Sequence, residues 1–109
     1  EAIEQRERVD FAGLFDPDDP DLFVLQVRGD SMIDDQIADG DFVIVRRQRT
    51  AQKGQIVVAI TDEGEATLKR WFPEKNRIRL EPANSSMKPI YVKDARVLGV
   101  VVGVVRKLG

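Results

Sequence analysis

Short apolar runs punctuated by Gly, Asp and Pro recur along this chain from Leu22 to its end. Leu22-Phe23-Val24-Leu25-Gln26-Val27 reads as a first strand, ended by Gly29. Ser31 to Ile37 reads as a short helical turn. Asp39-Gly40-Asp41 turns the chain into a second strand, Phe42-Val43-Ile44-Val45. Gln55 to Ile60 is the third, and Asp62-Glu63-Gly64 makes a hairpin into the fourth, Ala66 to Phe72. Pro73-Glu74-Lys75-Asn76 makes the next hairpin, into Arg77-Ile78-Arg79-Leu80. Pro82 to Lys88 reads as loop, and short strands follow at Pro89 to Val92 and Arg96 to Arg106. Helical periodicity is almost absent. The pattern predicts an all-β fold: one compact domain of short, strongly twisted antiparallel strands with tight hairpins.

The residues before Leu22 carry no such pattern. Residues 1 to about 13 are charged and read as an extended arm. Asp16-Pro17-Asp18-Asp19-Pro20-Asp21 is dense in acid but lacks calcium-loop spacing, so it reads as a solvated linker stiffened by proline. The expected division is an arm and linker over 1–21 and one domain over 22–109.

Composition narrows the chemistry. With 109 residues and 42% hydrophobic content, the chain suits a single domain with a modest core. Its 17 basic and 19 acidic residues leave a net charge of −2, which argues against a domain built to grip a phosphate backbone. Arg46-Arg47-Gln48-Arg49 reads as a solvated strand end. The chain has no His and no Cys, so it offers no disulfide, no thiolate or imidazole metal site, and no cofactor is expected. No apolar run approaches the ~20 residues that span a bilayer, and no secretory segment opens the chain. The expected compartment is the cytoplasm, with no membrane partner.

The missing His and Cys also exclude a Ser-His-Asp triad and a cysteine nucleophile. Hydroxyl-based nucleophilic chemistry would need a carboxylate or a lysine as base. Ser31 follows Gly29 at a strand end and opens a short turn, where backbone N–H groups are left unpaired and can receive an oxyanion. The competing reading of Ser31 is a helix N-cap. Lys69 lies on the fourth strand with Thr67 and Trp71 on its own face. Such a lysine ordinarily points to solvent. As a base it would have to point inward and be neutral, and a free lysine titrates near ~10.4, about 3 units too high. Thr67 could accept a hydrogen bond from the amine and aim it. Ser86-Met87-Lys88 offers a second serine beside a lysine, but adjacent side chains on extended backbone point apart, so it reads as loop.

These residues resemble the self-cleaving domain of LexA-type repressors, the family that includes phage repressors and UmuD mutagenesis proteins. The resemblance rests on Gly29-Asp30-Ser31-Met32, Asp39-Gly40-Asp41, Thr67-Leu68-Lys69-Arg70, Leu80-Glu81-Pro82-Ala83-Asn84-Ser85, Lys88-Pro89-Ile90 and Val97 to Arg106. It runs in order from Leu22 to the end. It implies a serine peptidase in which Ser31 is the nucleophile and Lys69 the general base. The backbone N–H groups of Asp30 and Ser31 would form the oxyanion hole, with Thr67 in support. It further implies intramolecular peptide-bond cleavage, stimulated by a RecA nucleoprotein filament after DNA damage, that releases repressed SOS genes.

Two departures shape the expectation. Nothing here resembles the winged helix-turn-helix of the full repressors, so DNA would be bound only through a missing N-terminal domain. The family cleaves a small-residue bond further from the nucleophile than Ala12-Gly13 stands from Ser31. The substrate, the chain's own upstream segment, is therefore expected before Glu1, with Ala12-Gly13 a structural pair and this chain a product or fragment. Val97 to Val105 is apolar apart from Gly99 and Gly103 and needs cover or an edge partner, which predicts a homodimer through the C-terminal strand. Three alternatives are a UmuD-like accessory subunit of a translesion polymerase, a signal peptidase without its anchor, and a β-domain that only dimerises.

Overall fold

In a computed structural model, which describes residues 13–109, seven strands form one antiparallel sheet. They are β1 (Leu22–Gln26), β2 (Phe42–Arg47), β3 (Ile56–Thr61), β4 (Ala66–Pro73), β5 (Ile78–Glu81), β6 (Ile90–Val92) and β7 (Ala95–Val105). The arm reading of residues 1–12, including Ala12 of the Ala12-Gly13 pair, lies outside the described residues. The only helical element among the described residues is a 3-10 turn, Ile33–Asp35, shorter than the turn the sequence suggests. The acidic linker folds into local turns: Asp18 N donates to Asp16 Oδ1 and Asp21 N to Asp19 Oδ1. Proline and short acidic side chains favour such turns.

The strand order is β1-β2-β7-β3-β4-β5-β6. Consecutive strands pair at β1–β2, β3–β4, β4–β5 and β5–β6; tight turns join β3–β4 and β4–β5, whereas residues 27–41 connect β1 to β2 and residues 82–89 connect β5 to β6. The last strand is the exception, entering between β2 and β3 and pairing with both. Its pairing is irregular opposite Ile44/Val45 and Val58/Ala59, where the register shifts as in a β-bulge. Gly99 is needed for the close approach: a Cβ there would stand 2.6 Å from the Arg46 carbonyl oxygen. β3 pairs only with residues up to Val100, so Val101–Val105 has β2 on one edge and no described strand on the other.

Both faces of the sheet are covered, which explains why the central strands read as continuous apolar runs rather than alternating ones. On β3, Val58 joins one buried cluster with Val45, Leu68, Met32 and Ile37, while Val57 and Ala59 join another with Trp71 and Leu80. Met32 and Ile37 bracket the 3-10 turn and are almost fully buried, so burial pins its two ends to the sheet. At roughly 1.5–3 kcal/mol for each large apolar side chain removed from water, these two anchors are the main apolar hold on the turn.

Candidate active site

β4 carries Lys69 in register with Val57 and Thr67 in register with Ala59. Residues opposite one another share a face, so the lysine stem runs beside fully buried apolar side chains. Lys69 is 7% exposed and Thr67 9%. Lys69 Nζ lies 2.7 Å from Thr67 Oγ1 and 3.2 Å from Ser31 Oγ, across 38 positions of sequence. The structure thus brings Ser31, Lys69 and Thr67 together. The 3-10 turn starts from Met32 with no side-chain cap, so Ser31 Oγ is not spent on capping.

The serine half of this contact sits on irregular backbone, held by distant groups. Gly29 adopts a positive φ of 92°, where an L side chain is strained, and its N–H donates to Asp39 Oδ1 at 2.7 Å. Two backbone bonds, Gly40 N to Val27 O and Val27 N to Asp41 O, fasten the Asp39-Gly40-Asp41 turn beside it. Asp41 is buried and accepts a bidentate pair from Arg106 Nε and Nη2, each at 2.8 Å, besides Ala38 N. The hydrogen-bonded guanidinium, helped by Ala38 N–H and by its charge, outweighs burial and holds the Asp41 carboxyl below its ordinary range. Both aspartates of the motif are therefore engaged in bracing the turn.

Four contacts that sequence reasoning missed complete the brace. Arg70, next to Lys69 on β4, donates from Nε to Asp35 Oδ2 at 2.8 Å and so ties the serine turn directly to the lysine strand. Asp34 accepts Ser85 N at Oδ2, while its own N–H donates to Ala83 O. Asn84 Nδ2 donates to the Asp30 carbonyl at 2.8 Å. The segment read as plain loop is thus fastened to the turn. Arg70 and Asn84 do stand in the motifs quoted above, but nothing local reveals which partner each takes.

The N–H groups of Asp30 and Ser31 have no acceptor among the described residues. Ser86 Oγ donates to Asn84 Oδ1, which leaves the second serine occupied within its own loop. In the basic stretch, Arg46 pairs with Asp19 at 3.5 Å and Arg47 stacks over the Phe23 ring. Among the described residues, no helix is long and apolar enough to cross a membrane.

The profile of the Peptidase S24-like family matches residues 1–102. The LexA repressor of Geobacillus sp. (strain WCH70) is 56% identical over 85 residues, which is 78% of this chain and 41% of that protein. That of Geobacillus thermodenitrificans (strain NG80-2) is 58% identical with the same coverage. The LexA repressor of Staphylococcus aureus (strain Newman) is 54% identical over 88 residues, 81% of this chain and 42% of that protein. The chain spans about two fifths of the length of these curated relatives.

Proposed function

The chain belongs to the Peptidase S24-like family, and we propose that it is the self-cleaving and dimerising part of a LexA-type repressor of the SOS response. The observation that carries this reading is the buried Lys69 amine 3.2 Å from Ser31 Oγ. A neutral Lys69 keeps an N–H on Thr67 Oγ1 and turns its lone pair to Ser31. It takes the Ser31 proton as Oγ bonds to the scissile carbonyl carbon. The negative charge moves to the carbonyl oxygen, received by the N–H groups of Asp30 and Ser31. As the tetrahedral adduct collapses, the C–N bond breaks and the Lys69 ammonium gives its proton to the leaving amine. Water, deprotonated by Lys69 in turn, hydrolyses the ester.

The substrate in this reading is the protein's own upstream cleavage segment, and a RecA nucleoprotein filament is the activator. DNA binding belongs to another part of the parent, and the cytoplasm of a bacterium is where the reaction takes place. Dimerisation uses the open edge of β7: Val102 and Val104 are 39% and 43% exposed there. Two such edges pair isologously about a two-fold axis. Cleavage of the parent chain, followed by mass spectrometry with and without the filament, tests the assignment. Ser31→Ala and Lys69→Ala should each leave the chain intact, and Lys69→Arg should not restore cleavage, because a guanidinium stays protonated. Continued cleavage in Ser31→Ala would refute it.

A further inference from the structure

Asn84 reaches the Asp30–Ser31 peptide from 54 positions away, and its two ends are chemically fixed. Ser86 N–H, which can only donate, bonds Asn84 Oδ1 at 2.9 Å. The other end is therefore the NH2 group, and it faces the Asp30 carbonyl, which can only accept. The same carbonyl takes a longer bond from Ile33 N, at 3.3 Å. In a trans peptide the C=O and the next N–H point in opposite directions. Holding the Asp30 oxygen toward Asn84 therefore holds the Ser31 N–H away from it, and that N–H has no acceptor among the described residues. A bond accepted at the carbonyl also polarises the peptide and strengthens its N–H as a donor.

We propose that Asn84 is a positioning residue for self-cleavage: by clamping the Asp30 carbonyl it aims the Ser31 amide at the oxygen of the attacked peptide bond. This rests on the reading of Ser31 as nucleophile. Asn84 acts through the peptide and does not touch the substrate. A purely structural Asn84 would matter only through the turn its Oδ1 makes with Ser86.

The two roles separate in the parent chain. Asn84→Asp keeps an oxygen for Ser86 and loses the donor to Asp30; Ser86→Ala removes one bond within the loop and leaves the clamp. We expect Asn84→Asp and Asn84→Ala to slow cleavage by about 10–10²-fold, less than loss of a whole oxyanion donor. Ser86→Ala should stay within about twofold, well short of the loss of an oriented group. In Asn84→Ala the rate should fall equally at every pH, because Lys69 is untouched. Thermal melts of each variant identify any that fail to fold, in which case Asn84→Asp against Ser86→Ala decides. Asn84→Asp cleaving at the unsubstituted rate overturns the proposal, as does Ser86→Ala losing as much as Asn84→Ala, or a pH profile displaced in Asn84→Ala. Cleavage surviving Ser31→Ala refutes the underlying assignment and the proposal with it. Normal dependence on Ser31 with no effect at Asn84 refutes the proposal alone.

Discussion

Lys69 and Ser31 meet at 3.2 Å, yet the chain delivers them by different means. Lys69 is placed by strand register: β4 pairs with β3 from Ala66 to Arg70, and side-chain alternation does the rest. Ser31 stands on an irregular turn outside the sheet, whose internal backbone bonds close the turn on itself without fixing it against β4. Its position comes from Met32 and Ile37 in the core, and from Asp39, Asn84 and Arg70 reaching in from elsewhere. A base on a sheet is held by many bonds at once, so single changes barely move it. A nucleophile on a braced turn can be misplaced by losing any one brace. The Ser31 half should therefore be where distant substitutions slow catalysis without unfolding the domain.

A cavity opened beside each partner should separate the two most strongly. Met32 adjoins Ser31 and Leu68 adjoins Lys69, and each is 1% exposed. Truncation of either to alanine should cost about 2–5 kcal/mol in a urea melt. Their effects on cleavage should diverge. Met32→Ala should slow it at least about tenfold even where the chain is fully folded, whereas Leu68→Ala should change it by no more than about threefold, because register still holds the lysine. Equal losses of rate would erase the proposed distinction.

A gentler probe removes one brace. Asp39→Ala deletes the acceptor of Gly29 N–H on the exposed side of the turn. Stability should fall by only about 1 kcal/mol, the net value of one such bond. Cleavage should slow by about 10–10²-fold, as expected when a reacting group drifts by a fraction of an ångström. A variant that lost stability and kept its rate would show that the turn needs no such brace.

The smallest effect concerns acid. Asp41 has its folded pKa lowered, chiefly by the Arg106 hydrogen bonds. Its contribution to stability is thus complete above the ~3.9 of a free aspartate and disappears as pH falls through the lower folded value. Asp41→Asn should melt below the unsubstituted domain at neutral pH, and the gap should close below about pH 4. A gap that persisted unchanged in strong acid would assign Asp41 a role independent of its charge.

The same division describes what the sequence made legible. Strands and hairpins were readable because apolar runs and Gly or Pro turns are local signals. β2 runs on to Arg47, past its apolar part, because Arg46 and Arg47 pair with Val100 and Gly99 of β7 whatever their side chains face. The insertion of β7 between β2 and β3 has no local signature, since it depends on where a last strand finds an open place. At the site, Ser31, Lys69 and Thr67 stood out by residue type and position on their elements. Asp34, Asp35, Arg70 and Asn84 did not, because each acts on a partner dozens of residues away. Asn84 lies in a segment whose spacing says only loop, and its amide acquires meaning only when folding sets it against the Asp30 carbonyl.

In the proposed function, Lys69 is the base that takes the Ser31 proton. The rate of self-cleavage of the parent chain against pH tests it most directly, measured for the unsubstituted chain and for Lys69→Ala. The rate should climb from neutral into alkaline solution, because only an unprotonated amine can take the Ser31 proton, with no measurable climb in Lys69→Ala. A rate flat across that range, or a substantial rate in Lys69→Ala, would contradict it.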